Sequence, residues 1–271
     1  MSEIIEVSRD WLKLREPEDA RARSARLARA ALRRLRPGPI TIHDLGSGTG
    51  SMMRWLVPQS PGPQTWVLHD WNSDLIDRAA DGIAPLDRDG RPVAILTRTG
   101  ELSELDADHL DGASLVTASA LLDVLTSDEI RAVVRACVAV GCPVLLSLSV
   151  TGEVGLEPPD PHDDVVAAAF NAHQERHAGG RRLMGPAGAA HAERLFLEAG
   201  WSVRTARSPW RLGDHEPRLL ERWFEGWLDA ALEQRPDLRD DGTAYGALRS
   251  AQVRRGALSA VVQHTDLMAW P

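Results

Sequence analysis

Ile40-Thr41-Ile42-His43-Asp44-Leu45-Gly46-Ser47-Gly48-Thr49-Gly50 is the stretch on which the fold turns. Its first six residues form an apolar strand pattern that runs into three glycines spaced two apart, with helix-forming residues after them. Glycine at such positions lets the backbone turn tightly and approach a ligand with no Cβ in the way. A helix starting there offers unpaired N–H groups and a positive dipole end, suited to a carboxylate as well as a phosphate. Dinucleotide-binding loops use the spacing G-x-G-x-x-G, and Ser51 stands where their third glycine falls. Strand, glycine loop and helix in that order predict the first unit of an open α/β sheet.

Outward from this unit, apolar runs at 66–68, 93–96, 115–118 and 144–148 alternate with helix-forming segments at 73–80 and 127–140. That alternation predicts parallel strands joined by right-handed crossovers. Upstream, 18–36 reads as one helix with Leu27, Ala31 and Leu35 on one face, stopped by Pro37-Gly38-Pro39. Past Val150 the pattern changes to a proline-rich loop at 157–161, a helix at 163–177 and a turn at Gly179-Gly180. A helix at 189–199, a strand at 201–206, a helix at 217–234 and a strand at 258–263 complete the chain. The helix at 217–234 carries Leu219, Leu220, Trp223, Phe224, Trp227 and Leu228 at helical spacing, a face wide enough to demand cover by the sheet or by a partner subunit. A homodimer is therefore one expectation.

The G-x-G-x-G spacing, with Asp44 two residues ahead of Gly46, resembles motif I of the class I S-adenosylmethionine-dependent methyltransferases. That resemblance implies a Rossmann-like α/β fold: seven strands, mostly parallel with the last antiparallel, helices on both faces, and helical insertions. It also implies S-adenosyl-L-methionine as cofactor and S-adenosyl-L-homocysteine as product. Asp44 would lie near the methionine ammonium, with Gly46, Ser47, Gly48 and Gly50 forming the loop around it. Asp70, at the end of the second strand, would accept both ribose hydroxyls, and Trp71 would pack on adenine. The fourth strand, leading to Ser119, Ala120 and Asp123, resembles motif IV, where Ser119 and Ala120 would line the cofactor. It lacks the Asn/Asp-Pro-Pro-Tyr/Phe pattern of many enzymes that methylate exocyclic base or amide nitrogens.

The expected organisation is one methyltransferase domain over 1–271. It comprises a helical N-terminal segment (1–39), a cofactor-binding half (40–156), and insertions at 157–185 and 213–256 that cover the substrate. If the acceptor must lose a proton, His173 or Asp123 is the expected catalytic base. His173 and His177 are four apart, but Gln174-Glu175-Arg176 between them does not make H-E-x-x-H, so no metal site is expected. His43 reads as a hydrogen-bonded buried histidine. Phe170, Asn171, His173 and His177 are candidates for the substrate pocket, and Trp223 and Trp227 for core or pocket wall.

A net charge of −8 over 271 residues disfavours nucleic acid as a partner and favours a small-molecule acceptor. The stripe Arg26, Arg29, Arg33 and Arg36 keeps an RNA or protein methyltransferase as the alternative, beside a catalytically silent cofactor-binding homologue. With only Cys137 and Cys142, neither a disulfide framework nor redox chemistry is expected. No run of apolar residues is long enough to span a bilayer and the first residues lack a leader pattern, which gives a cytoplasmic expectation with no membrane partner.

Overall fold

The computed structural model describes residues 8–178 and 180–271; residues 1–7 of the expected N-terminal segment and Gly179 of the expected turn lie outside them. Helices α1 (Arg9–Ala22) and α2 (Ala25–Leu32) lead into β1 (Ile40–Leu45), α3 (Ser51–Leu56), β2 (Gln64–Asp70), α4 (Ser73–Asp81) and β3 (Ala94–Thr99). Next come β4 (Leu115–Ser119), α5 (Ser127–Val140), β5 (Val144–Glu157), α6 (Asp163–Gln174) and the short strands β6 (His177–Ala178) and β7 (Arg181–Arg182). The chain closes with α7 (Gly188–Glu198), β8 (Ser202–Arg207), β9 (Trp210–Leu212), α8 (Pro217–Gln234), α9 (Arg239–Arg254) and β10 (Ser259–Trp270).

The main sheet has the order β3-β2-β1-β4-β5-β10-β8, with β9 adding to β10. Strands β1 to β5 pair in parallel, and β10 runs antiparallel to β5, β8 and β9. This is the Rossmann-like methyltransferase sheet expected, enlarged by the three-residue β9. The winding reverses between β1 and β4, and in open α/β sheets the crevice beyond the carboxyl ends of such strands is where ligands bind. Two apolar layers hold the sheet. Leu45, Val116 and Leu146 pack under Ile130, Val133 and Phe196 of α5 and α7, while Ile42, Trp66 and Leu68 pack under Leu27, Met53 and Ile76 on the opposite side.

Local signals account for the crossovers. Helix α5 opens on a capping box, in which Thr126 accepts from Glu129 N–H and Glu129 accepts from Thr126 N–H, and it ends at Gly141 in the left-handed region. Strands β5 and β10 run further than their apolar patterns, pairing from Val144 with Ala269 to Glu157 with Ser259. The outer part of β5 carries Thr151, Gly152 and Glu153, which break the apolar run that marks the inner part.

The single helix expected over 18–36 is instead two helices. Ser24 caps α2 by accepting from Leu27 N–H (3.3 Å), and its own N–H donates to the buried Asp266 carboxylate (2.6 Å), so the chain bends at Arg23-Ser24. The bend turns Arg23 into the protein interior, where it is 4% exposed.

The two insertions pack on one another. The apolar face of α8 is buried against α6 and α9 through Leu219, Phe224 and Trp227 with Val166, Ala169 and Tyr245, so that face is covered within the chain. Tyr245 Oη and Arg249 Nη2 both donate to Asp163 Oδ1 (2.6 and 2.5 Å), tying α9 to the start of α6. Helix α9 has no apolar period to announce it, because its buried face is built from Gly242, Tyr245, Arg249 and Val253.

Candidate active site

A cavity of about 420 Å³ opens at the carboxyl ends of β1, β2, β4 and β5. Its inner part is built by the glycine loop. Gly46 and Gly48 adopt φ of +59° and +51°, torsions that favour glycine, and a Cβ on Gly46 would sit 2.7 Å from Leu121 Cδ1, so the Leu121 side chain would also have to shift. Ser47 N–H donates to His69 O (2.9 Å), holding the loop on the end of β2. Helix α3, six residues long, supplies only a short dipole, so side chains must provide most of the charge recognition.

Asp44 is 1% exposed. Its Oδ1 accepts from Thr117 Oγ1 (2.8 Å), while its Oδ2 is buried with no partner. Burial pushes its carboxyl up to about 7, against the opposing pull of Thr117 and of Arg23. Arg23 faces the same space: Nη2 donates to Ser51 Oγ and Ser119 Oγ (both 3.0 Å), and Nε and Nη1 are buried without partners. Burial lowers the Arg23 pKa, partly countered by Asp19 and Asp44. An orphaned carboxylate oxygen and an orphaned guanidinium edge in one cavity ask for a ligand carrying both an ammonium and a carboxylate.

Asp70 closes the other side of the loop, its Oδ2 accepting from Gly48 N–H (2.8 Å) and its Oδ1 from Asn72 N–H (3.0 Å). Burial raises its pKa despite these bonds. A carboxylate offers about four lone-pair positions, so two remain for hydroxyl donors. Trp71, 40% exposed, follows as a flat wall. Ala120 and Leu148, the positive-φ residues other than glycine among the described residues, both line the cavity, at +52° and +57°. Left-handed torsions in such residues cost energy and persist where the surroundings over-determine them, commonly at ligand sites.

The outer part of the cavity lies between β5, α1, α6 and α8. Trp210, Trp223, Trp227 and Phe170 provide aromatic walls, with Trp223 and Trp227 stacked at 5.6 Å. Arg15 sits over Trp210 at 4.7 Å and pairs with Asp19 (3.0 Å), and Arg181 pairs with Glu129 (2.6 Å). Asp123 also lines this part; its Oδ1 is buried without a partner, and burial raises its pKa.

Of the residues singled out from the sequence, Asp44, Gly46, Ser47, Gly48, Asp70, Trp71, Ser119, Ala120 and Asp123 meet at this one cavity. Gly50, at φ +81°, turns the chain into α3 without lining it. His173, the other expected base, does not line the cavity; its Nε2 lies 3.3 Å from Glu233 Oε2 because its face of α6 is turned toward α8. His177 does not line the cavity either, whereas Phe170 and Asn171 do. His43 is buried, with Nδ1 2.9 Å from His69 Nε2; burial pushes the two rings down to about 4 and about 3. Among the described residues no group of three or more His, Cys, Asp or Glu is arranged to hold a metal ion. Cys137 and Cys142 are unpaired and buried.

Arg23 is a cavity residue that a single helix over 18–36 conceals, and Trp11, Leu12 and Arg15 of α1, upstream of that span, line the cavity as well. The signal available was Ser24 ahead of the apolar period Leu27-Ala28-Ala31, an N-cap signature inside the supposed helix.

The sequence matches no protein-family model and no curated protein. Its fold is similar to that of the cyclopropane synthase MmaA2 from Mycobacterium tuberculosis, at 11% identity over 98% of this chain and 100% of that one, TM-score 0.48. It is also similar to a SAM-dependent methyltransferase from Geobacter sulfurreducens in complex with S-adenosyl-L-homocysteine, at 16% identity over 92% of each chain, TM-score 0.44. A third likeness is a SAM-dependent methyltransferase from Thiobacillus denitrificans, also with S-adenosyl-L-homocysteine, at 15% identity over 98% of this chain and 100% of that one, TM-score 0.45. By its own sheet order, this chain has the class I methyltransferase fold. These likenesses are distant, and the chemistry of the site stands on the chain's own residues.

Proposed function

We propose that the protein is an S-adenosylmethionine-dependent methyltransferase acting on a small-molecule acceptor. The observation that carries this is the pair of orphaned charges, Asp44 Oδ2 and Arg23 Nε and Nη1, beside a glycine loop whose far side presents Asp70. Together they form the complement of an amino-acid zwitterion joined to a ribose diol. A dinucleotide could use Asp70 for its ribose, but it would bring its pyrophosphate to this loop, where Asp44 would repel it.

In this reading Asp44 holds the ammonium and Arg23 the carboxylate, fixed in place by Ser51 and Ser119. Asp70 takes the ribose hydroxyls and Trp71 packs on adenine. When bound, the cofactor supplies a methyl group on a sulfonium, open to in-line displacement. The protein's part is to orient the acceptor and exclude water, which can provide most of the rate enhancement. The insertions serve as the substrate cover, since α6 and α8 contribute Phe170, Asn171, Trp223 and Trp227 to the outer cavity.

Enclosure between helices favours a compact acceptor over RNA or protein. The stripe Arg26, Arg29, Arg33 and Arg36 is exposed on α2 and just after it, and lines no part of the cavity, which removes the main support for a macromolecular acceptor. Among the described residues no helix is long and apolar enough to cross a membrane. Labelled methyl transfer to fractions of a cell extract tests the proposal: label should enter the low-molecular-weight fraction. Label confined to RNA or protein would overturn the choice of acceptor.

A further inference from the structure

The outer cavity holds more unmet hydrogen-bond acceptors than donors. Among the described residues Asp123 Oδ1 and Asn171 Oδ1 are buried without a partner, as is one end of the Gln174 amide, and all three residues line the cavity. The orientation of Asn171 is set by its Nδ2 donating to Gly152 O (2.9 Å), which leaves Oδ1 as the free end. The segments that carry them meet around residues 184–188: Met184 N–H donates to Leu125 O (2.8 Å), Gly185 lies against Gln174, Pro186 lies beside Gly152 and Asn171, and Gly188 lies against Leu122. The opposing orphan is a single donor, the indole N–H of Trp227, a side chain only 2% exposed.

Charge points the same way. Arg15 is paired with Asp19 and Arg181 with Glu129, so the cations of the outer cavity are neutralised. Among the described residues neither Asp123 nor Glu153, which both line it, makes a hydrogen bond or salt bridge to a cationic side chain, and the charge of Arg15 only partly offsets the burial that raises the Asp123 pKa. The walls, Trp223, Trp227, Trp210 and Phe170, are aromatic faces that attract a cation as well as an apolar body.

Building on the proposed methyltransferase function, we infer that the acceptor is a primary amine on an aromatic or apolar body, its nitrogen held by Asp123, Asn171 and Gln174. The count of partners decides between acceptor classes. A hydroxyl has one proton to donate and would leave Asp123 Oδ1 or Asn171 Oδ1 unsatisfied, and a thiol or enolate would satisfy fewer, whereas an amine nitrogen has two or three N–H groups. A carboxylate acceptor would bring a second negative charge against Asp123.

The reaction then balances within the site. The ammonium gives a proton to the Asp123 carboxylate, whose raised pKa suits it to receive one. The freed nitrogen lone pair forms the new N–C bond as the methyl–sulfur bond breaks, its electrons staying on sulfur. The secondary ammonium product is one hydrogen-bond donor poorer than the substrate.

Calorimetry with three matched probes, 2-phenylethylamine, 2-phenylethanol and phenylacetate, each titrated into protein saturated with S-adenosylhomocysteine, tests the inference. The amine should bind about tenfold or more tightly than the alcohol, with phenylacetate weakest, as expected when buried acceptors are left unmet by the wrong ligand. Asp123→Asn and Gln174→Met should each weaken the amine about tenfold and the alcohol by less, while leaving S-adenosylhomocysteine unchanged, which reports intact folding. Equal or tighter binding of the alcohol or the acid, no binding of any probe, or unchanged amine binding in both folded variants would overturn it. If S-adenosylhomocysteine itself fails to bind, the proposed function falls, and the amine-over-alcohol preference is then read on the unliganded protein.

Discussion

Asp44 makes cofactor binding depend on pH in a way that can be worked out from the structure. In the unliganded protein burial holds its carboxyl at about 7, because Oδ2 has no partner and Oδ1 has only the Thr117 hydroxyl. The ligand's ammonium favours the ionised form, so below pH 7 binding must first remove a proton. The affinity for S-adenosylhomocysteine should fall by up to tenfold per pH unit, about fiftyfold or 2.3 kcal/mol between pH 7, where the carboxyl is already half protonated, and pH 5, at 1.36 kcal/mol for each tenfold. At pH 6 close to one proton should leave the protein on binding. Titration calorimetry in buffers of different ionisation enthalpy reads affinity and proton release together. The Asp44→Asn variant should bind weakly at every pH, with a flat profile. A wild-type profile that is also flat between pH 5 and 8, with no buffer-dependent heat, would refute the placing of the ammonium at Asp44.

Asp70→Ala should weaken S-adenosylhomocysteine by about 1.5–3 kcal/mol, the range for hydrogen bonds to a charged group; undiminished affinity in a folded variant would move the ribose elsewhere. Gly48→Val should lose measurable binding, since the residue sits at φ +51° and a Cβ there would meet Leu12 Cδ1 at 3.3 Å. The buried His43–His69 pair titrates at about 4 and about 3 when folded. Both pKa values are lowered, so their contribution to stability is present above the unfolded value of about 6.5 and is lost as pH falls toward 4. Denaturant unfolding should therefore show the advantage of wild type over His69→Gln shrinking across that window; an advantage that holds or grows would show that the pair does not resist protonation.

The glycine-loop half of the sheet was legible because its signals are local. A glycine loop after an apolar strand, and acids at Asp44 and Asp70, are fixed by neighbours a few residues away, and the sheet preserves those spacings. The parallel strands followed from apolar runs, which are short and continuous where both faces are covered. What escaped depended on distant contacts. The bend at Ser24 is fixed by Asp266 of β10, so Arg23 enters the site through a partner more than two hundred residues away. His173 lay within the right helix but on the face turned to Glu233, and the choice between the faces of α6 is made by α8 packing on it. Helix α9 buries an arginine and a tyrosine against Asp163, a polar anchor that hydrophobic periodicity does not register.

On the proposed function, this cavity takes an adenosyl amino acid and not a dinucleotide. Calorimetric titration of the wild-type protein at pH 7.5 with S-adenosylhomocysteine and, separately, with NAD tests it most directly. One S-adenosylhomocysteine should bind per chain, with NAD weaker by about a hundredfold or more, the equivalent of roughly 3 kcal/mol for the charged contacts NAD cannot make. NAD binding as tightly as S-adenosylhomocysteine, or no binding of S-adenosylhomocysteine at all, would contradict it.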